Sequence, residues 1–327
     1  MVRIIGKEVG PIGVGLMSLT RPGSGVNDEQ AFAVLRRAIE LEAFFWNGGE
    51  FYGPENANSL VLLEKYFAKY PEDADKVVLS IKGGSDKPNT FHFDSSPANV
   101  RRSVNDCVEQ LKGRKTIDLF ELARHDGVTP WETSVKSLLE LKKEGKLGHL
   151  SLSEVRAESI HRVAKVAKIE AVEIELSIVS PEVLTNGVTA ACSQYDIPVI
   201  AYSPIGHGLL TGHIKSQDDL NWVAKMLPRF SQENLPANLK LVEQIEKIAA
   251  DKGCTTGQLA INWVRCLSRR PGMPTIVPLP GTTTIERLEE NLTLVDFSDE
   301  EMDTIDDIIS NFEVKGDRYP SHLPTET

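Results

Sequence analysis

The sequence predicts a (β/α)8 TIM barrel with extra helices in its C-terminal region, formed by residues 1–327 as one domain. The first observation is that short, nearly continuous apolar segments alternate with longer amphipathic segments. Apolar segments of this kind are typical of strands covered on both faces, and their strict alternation with helices implies a parallel sheet. The second observation is their number, since eight such units close a barrel.

The predicted strands are residues 12–17, 43–46, 77–81, 117–122, 149–152, 171–174, 198–201 and 275–279. A doubly wound open sheet is the alternative fold. It is favoured less because the first strand, Gly13-Val-Gly15-Leu-Met-Ser18, lacks the third glycine of a dinucleotide-binding turn. That strand also does not open directly into a helix, as the dinucleotide fingerprint requires.

The predicted helices are residues 28–41, 99–111, 131–143, 157–167, 182–195, 239–250, 256–267, 284–291 and 298–310. Asn27 or Asp28 is expected to cap the first helix, and Ser298 the last. The irregular segments 83–96 and 204–236 follow the third and seventh strands. Both therefore emerge at the C-terminal face of the barrel, where active sites lie. The polar tail 318–327 is expected to be irregular.

Composition excludes several classes of function. A formal net charge of −11 argues against nucleic acid and anionic membrane as partners. The four cysteines form no C-x-x-C pair, and no apolar run reaches the ~18 residues of a membrane helix. Without a signal-peptide pattern, a cytoplasmic location is expected. The seven histidines show no metal-ligand spacing, so no metal is expected, and oligomeric state is not indicated.

Two polar residues at neighbouring strand ends indicate a proton donor. Tyr52 follows the second predicted strand, and Lys82 ends the third. Reduction of a carbonyl by hydride needs an acid for the developing alkoxide. A neighbouring ammonium stabilises a phenolate, and we therefore expect Lys82 to lower the pKa of Tyr52.

The segment after the eighth strand predicts an anion site. Pro280-Gly281-Thr282-Thr283-Thr284 leads into a helix, whose first turn offers free N–H groups and the positive end of the helix dipole. Arg287 lies in that turn and adds a charge suited to bidentate binding. Phosphate sites of TIM barrels often form after strands seven and eight.

Taken together, these motifs resemble the aldo-keto reductase family. The matching segments are residues 44–53, 79–82, 258–263 and 279–291, and the resemblance covers almost the whole chain. It implies NADPH-dependent reduction of a small aldehyde, with Tyr52 as general acid and Lys82 tuning it. It also implies that Ser153 and Glu154 hold the cofactor's carboxamide and that Tyr202 stacks on the nicotinamide. The full set of implied cofactor contacts is Ser153, Glu154, Glu173, Tyr202, Ser203, Ile205, Gly208, Gly281, Thr283, Arg287, Glu290 and Asn291.

The chain departs from the family pattern at several of these positions. Asn47 stands where the family has its catalytic Asp, so Lys82 is expected to lack a counter-ion and to depress the pKa of Tyr52 further, unless Glu50 stands in. Glu154 replaces a commoner Asn, and Glu173 replaces the usual Gln. Thr283 replaces a frequent Lys or Arg, so preference for NADPH would depend more on Arg287 and the helix terminus.

The fourth strand carries a further departure. Ala123 occupies the place of the family's histidine. His125 lies two residues later and faces the same side of the strand, ~6.6 Å further along it. His125 is therefore a partial substitute, or alternatively an exposed loop histidine. His125 and Trp46 are the expected substrate contacts.

These departures resemble the pyridoxal reductase branch, whose second strand has the same Trp-Asn-x-Gly-Glu-Phe-Tyr-Gly pattern. That resemblance implies reduction of pyridoxal to pyridoxine, and we hypothesise that the phenolic oxygen of pyridoxal polarises its carbonyl in place of the missing histidine. The alternatives are a broad-specificity aldehyde reductase, a regulatory NADPH-binding protein similar to channel β-subunits, and a catalytically weakened relative.

Overall fold

The chain was studied as a computed structural model that describes residues 2–86, 92–321, 323 and 325–326, with Trp222 described by its backbone only. Eight parallel strands, β1 to β8, form one sheet in sequential order. Their bounds are Val14–Gly15, Phe45–Gly49, Val78–Gly83, Ile117–Leu122, Leu147–Ser153, Ala171–Glu175, Val199–Tyr202 and Ile276–Leu279. Each one overlaps a strand predicted from the sequence.

The sheet closes on itself. The backbone N–H of Gly13 donates to the carbonyl oxygen of Pro278 at 2.9 Å, and that of Gly15 donates to Pro280 at 3.0 Å. A parallel bridge between Gly15 and Gly281 joins the same two strands. The predicted (β/α)8 barrel is therefore confirmed.

The α-helices span Met17–Thr20, Asp28–Glu40, Ser59–Lys69, Pro97–Leu111, Trp131–Lys143, Ala157–Ala164, Val188–Gln194, Trp222–Met226, Leu235–Lys252, Thr256–Cys266, Ile285–Leu292 and Asp299–Ser310. Short 3-10 helices span Pro71–Asp73, Glu182–Leu184, Gly206–Thr211, Gln217–Asp219, Pro228–Phe230 and Leu267–Arg269. The caps at Asn27 and Ser298 are confirmed, since each side chain accepts a backbone N–H of its helix. Of the helices that the structure describes, none has the length and apolar character needed to cross a membrane.

Two helical regions of the structure differ from the sequence prediction. Helix Ser59–Lys69 was not predicted, although the Asn58 side chain caps it by accepting from the N–H groups of Leu60 and Val61. The predicted helix 182–195 is interrupted, because Gly187 adopts a left-handed backbone with φ of 92°. A chain in that conformation cannot continue a right-handed helix.

An apolar plug closes the N-terminal end of the barrel. A short hairpin of strands Arg3–Ile4 and Lys7–Glu8, which the sequence did not predict, lies at this end. Ile4 and Val9 of the hairpin belong to the apolar cluster of the barrel axis. Their partners from the barrel strands are Phe45, Val78, Leu119, Ala171, Ile200, Val277 and Leu279.

The inward-facing side chains one layer above this plug are polar. Side chains two residues apart on a strand face the same side. Asn47 therefore shares the orientation of Phe45, Glu121 that of Leu119, and Glu173 that of Ala171. Lys82 lies four residues after Val78 and points inward as well. The barrel axis above the plug thus carries charged side chains.

Candidate active site

Lys82 occupies the centre of the polar interior. It lies on β3, is buried, and forms an ion pair with Glu173 of β6 on the other side of the barrel axis. Its Nζ lies 4.8 Å from the ring centroid of Tyr202. Burial by itself lowers the pKa of Lys82, but the facing carboxylate of Glu173 outweighs it, so the pKa is raised and the ammonium stays charged.

The side-chain amide of Asn47 donates hydrogen bonds to two carboxylates. Its Nδ2 donates to Glu173 Oε2 at 2.7 Å and to Glu121 Oε1 at 3.3 Å. The expectation that Lys82 lacks a counter-ion is therefore wrong, because Glu173 supplies the charge that Asn47 cannot. Glu173 faces the axis because it lies two residues after Ala171 on β6. The curvature of the barrel then places it opposite Lys82. The spacing of residues along a single strand does not reveal this pairing.

Glu121 is a member of this cluster that the sequence analysis missed. It is buried on β4 at 1% exposure, and Ser151 Oγ donates to its Oε2 at 3.0 Å. Burial, reinforced by the Glu173 carboxylate, raises the pKa of Glu121 well above its ordinary value. The sequence signal that could have found Glu121 is its position two residues after Leu119, which places both side chains on the same face of the strand.

Tyr52 lies beside Lys82 and forms a hydrogen bond with it. Burial raises the pKa of Tyr52 above its ordinary value, and the ammonium of Lys82 offsets only part of that rise, because the carboxylate of Glu173 also disfavours phenolate. The expected depression of this pKa is therefore wrong. Tyr52 is protonated at neutral pH and has a proton to give.

Glu50 does not stand in for the missing Asp. Its carboxylate accepts hydrogen bonds from Ser85 N and Ser103 Oγ, each at 2.9 Å, and lies 3.4 Å from Arg102 Nη1. Burial raises the pKa of Glu50 despite the nearby Arg102. These contacts hold it on the side of helix Pro97–Leu111 instead of at Lys82.

The C-terminal tail forms a second network across the barrel mouth. Arg318 pairs with Glu154 at 2.7 Å and with Glu175 at 3.2 Å. The hydroxyl of Tyr202 donates to Glu154 at 2.9 Å and lies 2.9 Å from the hydroxyl of Tyr319. The tail around Arg318 lacks regular secondary structure, as predicted, but the sequence did not indicate that it binds the mouth.

The tail accounts for the ionisation of Glu154. Burial opposes a negative charge there, but Arg124 and Arg318 prevail and lower the pKa of Glu154 to about 2. Arg124 also donates from Nη2 to the hydroxyl of Tyr202 at 3.3 Å. Two arginines thus neutralise the carboxylates at the mouth, which makes Glu154 compatible with a cofactor nearby.

Of the two expected substrate contacts, Trp46 faces away from the barrel axis. Trp46 is fully buried on the helix side of β2, where it packs against Tyr66 and donates from Nε1 to the Ala43 carbonyl at 2.8 Å. It alternates with Asn47, which faces the axis, and this placement overturns its assignment to substrate. His125 is buried and stacks on Trp131 at 4.1 Å, so it is not an exposed loop histidine.

Ser153 ends β5 with a buried hydroxyl. Within the described ranges, its Oγ has no hydrogen-bond partner. Buried polar atoms are nearly always bonded, so an unpartnered one invites a ligand. An amide oxygen or nitrogen matches this hydroxyl, and the amide end of a nicotinamide cofactor therefore fits here.

The loop after β7 turns through several residues with left-handed backbones. Ser203 and Gly208 both have left-handed backbones, with φ of 52° and 97°. Ile205, half-buried, lies between them in the sequence. The N–H of Gly208 donates to the Ile205 carbonyl at 3.1 Å, so binding of a pyrophosphate by this loop stays a prediction.

The segment after β8 fits the phosphate end of a cofactor. Thr284 caps helix Ile285–Leu292 by accepting from the Arg287 N–H at 3.3 Å. The exposed guanidinium of Arg287 forms no ion pair with any residue that the structure describes. The carbonyl oxygen of Thr283 accepts from Gln30 Nε2 at 2.9 Å, which fixes the turn that begins near Gly281.

The far end of that helix is tied to its neighbour. Glu290 accepts from Thr255 Oγ1 at 2.6 Å, and Asn291 is buried in the last turn. Thr255 caps helix Thr256–Cys266, so the bond fixes the two helices to each other. Gly281 and Thr283 thus lie in the turn after β8, and Arg287, Glu290 and Asn291 lie on the helix that follows it; their contact with a cofactor stays a prediction.

Comparisons with known proteins agree with this geometry. The Aldo/keto reductase family profile matches residues 11–310. A protein named "Probable pyridoxal reductase 2" from Schizosaccharomyces pombe is 38% identical over 329 residues, covering 97% of each chain. An "Aldo-keto reductase yakc", designated for NADP(+), from the same organism is 34% identical over 331 residues, covering 97% of this chain and 94% of its own.

A solved structure shows the same fold. The glycerol dehydrogenase of Gluconobacter oxydans superposes with a TM-score of 0.80 at 21% sequence identity. The alignment covers 99% of this chain and 98% of that one.

The mouth network predicts that Arg318→Met destabilises the protein in a pH-dependent way. Removing one partner of a buried ion pair leaves an uncompensated charge, so we expect the free energy of unfolding to fall by about 3 kcal/mol at neutral pH. Urea unfolding followed by circular dichroism measures the change. The matched control is Arg3→Met, which removes an exposed pair with Glu8 and should cost about 0–1 kcal/mol.

The sign of the pH dependence follows from the depressed pKa of Glu154. Its folded-state value is about 2, below its ordinary value of 4.5. Its stabilisation is therefore complete above about pH 4.5 and is lost as the pH falls towards about 2. The gap between wild type and Arg318→Met should narrow below pH 4.5. A gap that stays constant would show that Arg318 does not act through Glu154.

Proposed function

The chain belongs to the aldo/keto reductase family of oxidoreductases, and we propose that it reduces an aldehyde to an alcohol with NADPH, with pyridoxal as the substrate and pyridoxine as the product. The observation that carries this proposal is the buried, charged Lys82 beside the protonated hydroxyl of Tyr52. An acid held next to a cation at the mouth of a barrel is the arrangement that carbonyl reduction needs.

The residues of the chain divide the proton chemistry between them. The cofactor, when bound, supplies the hydride that adds to the carbonyl carbon. Tyr52 gives its hydroxyl proton to the carbonyl oxygen, which completes the alcohol. Lys82 stabilises the phenolate that Tyr52 becomes, because its ammonium is close and shielded from water. Solvent restores the proton to Tyr52 before the next turnover.

Ser153 and Tyr202 would orient the nicotinamide end. The unpartnered hydroxyl of Ser153 suits the carboxamide, and the ring of Tyr202 offers an aromatic face beside Lys82. The preference for NADPH is supported by Arg287, whose guanidinium has no partner among the described residues and lies at a helix N-terminus. A relative at 34% identity is named for NADP(+), which supports the same preference.

Pyridoxal as the substrate is supported by the relative at 38% identity and by the charge of the mouth. Arg124 is half-buried there, and its guanidinium donates to the hydroxyl of Tyr202. A cation at this point suits an aldehyde that carries a neighbouring phenolic oxygen. That oxygen would polarise the carbonyl in the place that Ala123 leaves without a histidine. We also propose a cytosolic location, since all four cysteines are free thiols.

The direct test is to follow NADPH oxidation with pyridoxal, with an analogue lacking the 3-hydroxyl group and with simple aldehydes. We expect pyridoxal to give the highest kcat/KM and NADH to support slower turnover than NADPH. Equal kcat/KM for pyridoxal and the analogue would contradict the role of the phenolic oxygen. Tight binding of NADPH without turnover of any aldehyde would favour a cofactor-binding regulatory protein.

Tyr52→Phe should lower kcat by at least ~10²-fold, because it removes the proton donor. Binding of NADPH, measured by quenching of protein fluorescence, should remain. The matched control is Tyr195→Phe, since the hydroxyl of Tyr195 contacts only His161 at the surface among the described residues. Unchanged kcat in Tyr52→Phe would exclude Tyr52 as the general acid.

Arg287→Ala should raise KM for NADPH by about 10- to 100-fold, because a hydrogen bond between charged groups is lost. KM for NADH should change little, since NADH has no 2′-phosphate. The control is Arg101→Ala, which removes an exposed arginine paired with Glu144 on the outer helices. A similar rise in KM for both cofactors would show that Arg287 does not contact the 2′-phosphate.

A further inference from the structure

The barrel axis holds one buried ammonium among several polar groups from different strands. Lys82 is 4% exposed, and a charge buried to this extent needs a counter-ion to remain ionised. The titratable and charged groups that face it are Tyr52 after β2, Glu121 on β4, Glu173 on β6 and Tyr202 on β7. Asn47 of β2 also lies in this layer but carries no charge.

Glu173 is the carboxylate that meets the ammonium. Its Oε1 accepts from Lys82 Nζ, and its Oε2 accepts from Asn47 Nδ2 at 2.7 Å. Each oxygen of the carboxylate thus has a donor of its own, which fixes the plane of the group across the axis. Glu173 has 1% of its surface exposed, so water does not compete for either position.

Glu121 completes the cluster from the opposite side. It also accepts from Asn47, at 3.3 Å, and it is hydrogen-bonded to Glu173. Two carboxyl groups in contact inside a barrel cannot both ionise readily, because like charges repel strongly there. Burial and the neighbouring Glu173 raise the pKa of Glu121, and Glu173 is the carboxylate that forms the ion pair with Lys82.

We propose that Glu173 is a positioning residue for the reduction: its carboxylate holds the charged Lys82 in place beside Tyr52 and balances its charge. The proposal rests on the proposed function, in which Tyr52 gives a proton to the substrate. Glu173 does not touch the reacting atoms and acts through Lys82. Asn47 holds the carboxylate in turn.

The contact between Asn47 and Glu173 also implies that either position 47 or position 173 can carry the negative charge. Asn47 Nδ2 lies 2.7 Å from one oxygen of Glu173, and the other oxygen of Glu173 accepts from Lys82. Asn47→Asp combined with Glu173→Gln would place the carboxylate on β2 and the amide on β6. The number of charges and of hydrogen-bonding groups in the layer would be unchanged.

The first test compares Glu173→Gln with the double variant. We expect Glu173→Gln to lower kcat by at least ~10-fold while KM for NADPH stays within a factor of about two. Without the nearby anion, Tyr52 loses its proton more easily, so the alkaline limb of the pH profile should move to lower pH. Asn47→Asp/Glu173→Gln should recover most of kcat and return the alkaline limb towards its wild-type position.

The second test needs no turnover and separates this proposal from the proposed function. The ultraviolet absorbance of tyrosinate is titrated in wild type, in Glu173→Gln, in Asn47→Asp/Glu173→Gln and in each of these proteins with Tyr52→Phe added. The difference between each matched pair reports Tyr52 alone. The Tyr52 titration should move to lower pH in Glu173→Gln and return in the double variant, even if no aldehyde is found that the wild type reduces.

Three results would overturn the proposal. The first is wild-type kcat and pH profile in Glu173→Gln, which would show that Lys82 does not need this carboxylate. The second is a Tyr52 titration that does not move. The third is a double variant that is inactive or unfolded, since a residue with only a structural role at position 173 would not be rescued from position 47. If Glu173→Gln alone fails to fold, the double variant still decides between the two roles.

Discussion

The ion pair between Lys82 and Glu173 is the interaction on which the barrel interior depends. Both charged side chains are almost fully buried, and removing them from water costs much free energy. The surrounding polar groups offset that cost, since Asn47 donates to the carboxylate and Glu121 takes the neutral form beside it. The apolar plug below keeps water from reaching the pair through the N-terminal end.

This ion pair affects the protonation of Tyr52, the proposed general acid. Burial alone would make Tyr52 a weaker acid, and an unpaired ammonium alone would make it a stronger one. The carboxylate of Glu173 reduces the effect of Lys82 on Tyr52, so that the hydroxyl keeps its proton until a substrate needs it. A family position that usually supplies the negative charge is neutral here, and the charge comes from across the barrel.

At the barrel mouth, buried carboxylates are again paired with cations. Glu154 and Glu175 are buried carboxylates near the expected cofactor, which on its own would repel a phosphorylated ligand. Arg318 from the tail pairs with both, and Arg124 adds a second cation. The C-terminal tail is therefore part of the electrostatics of the site, although its sequence is polar and irregular.

The sequence by itself determined the eight strands, most of the helices and the positions of Tyr52, Lys82 and the turn after β8, because these follow from periodicity and from the ends of strands. It did not determine which inward side chains meet across the axis. Trp46 and Asn47 are adjacent in sequence yet face opposite sides of the sheet, and Lys82 pairs with a residue 91 positions away. Only the closure of the barrel brings β3 opposite β6, so only the tertiary structure decided that Glu173 is the counter-ion of Lys82.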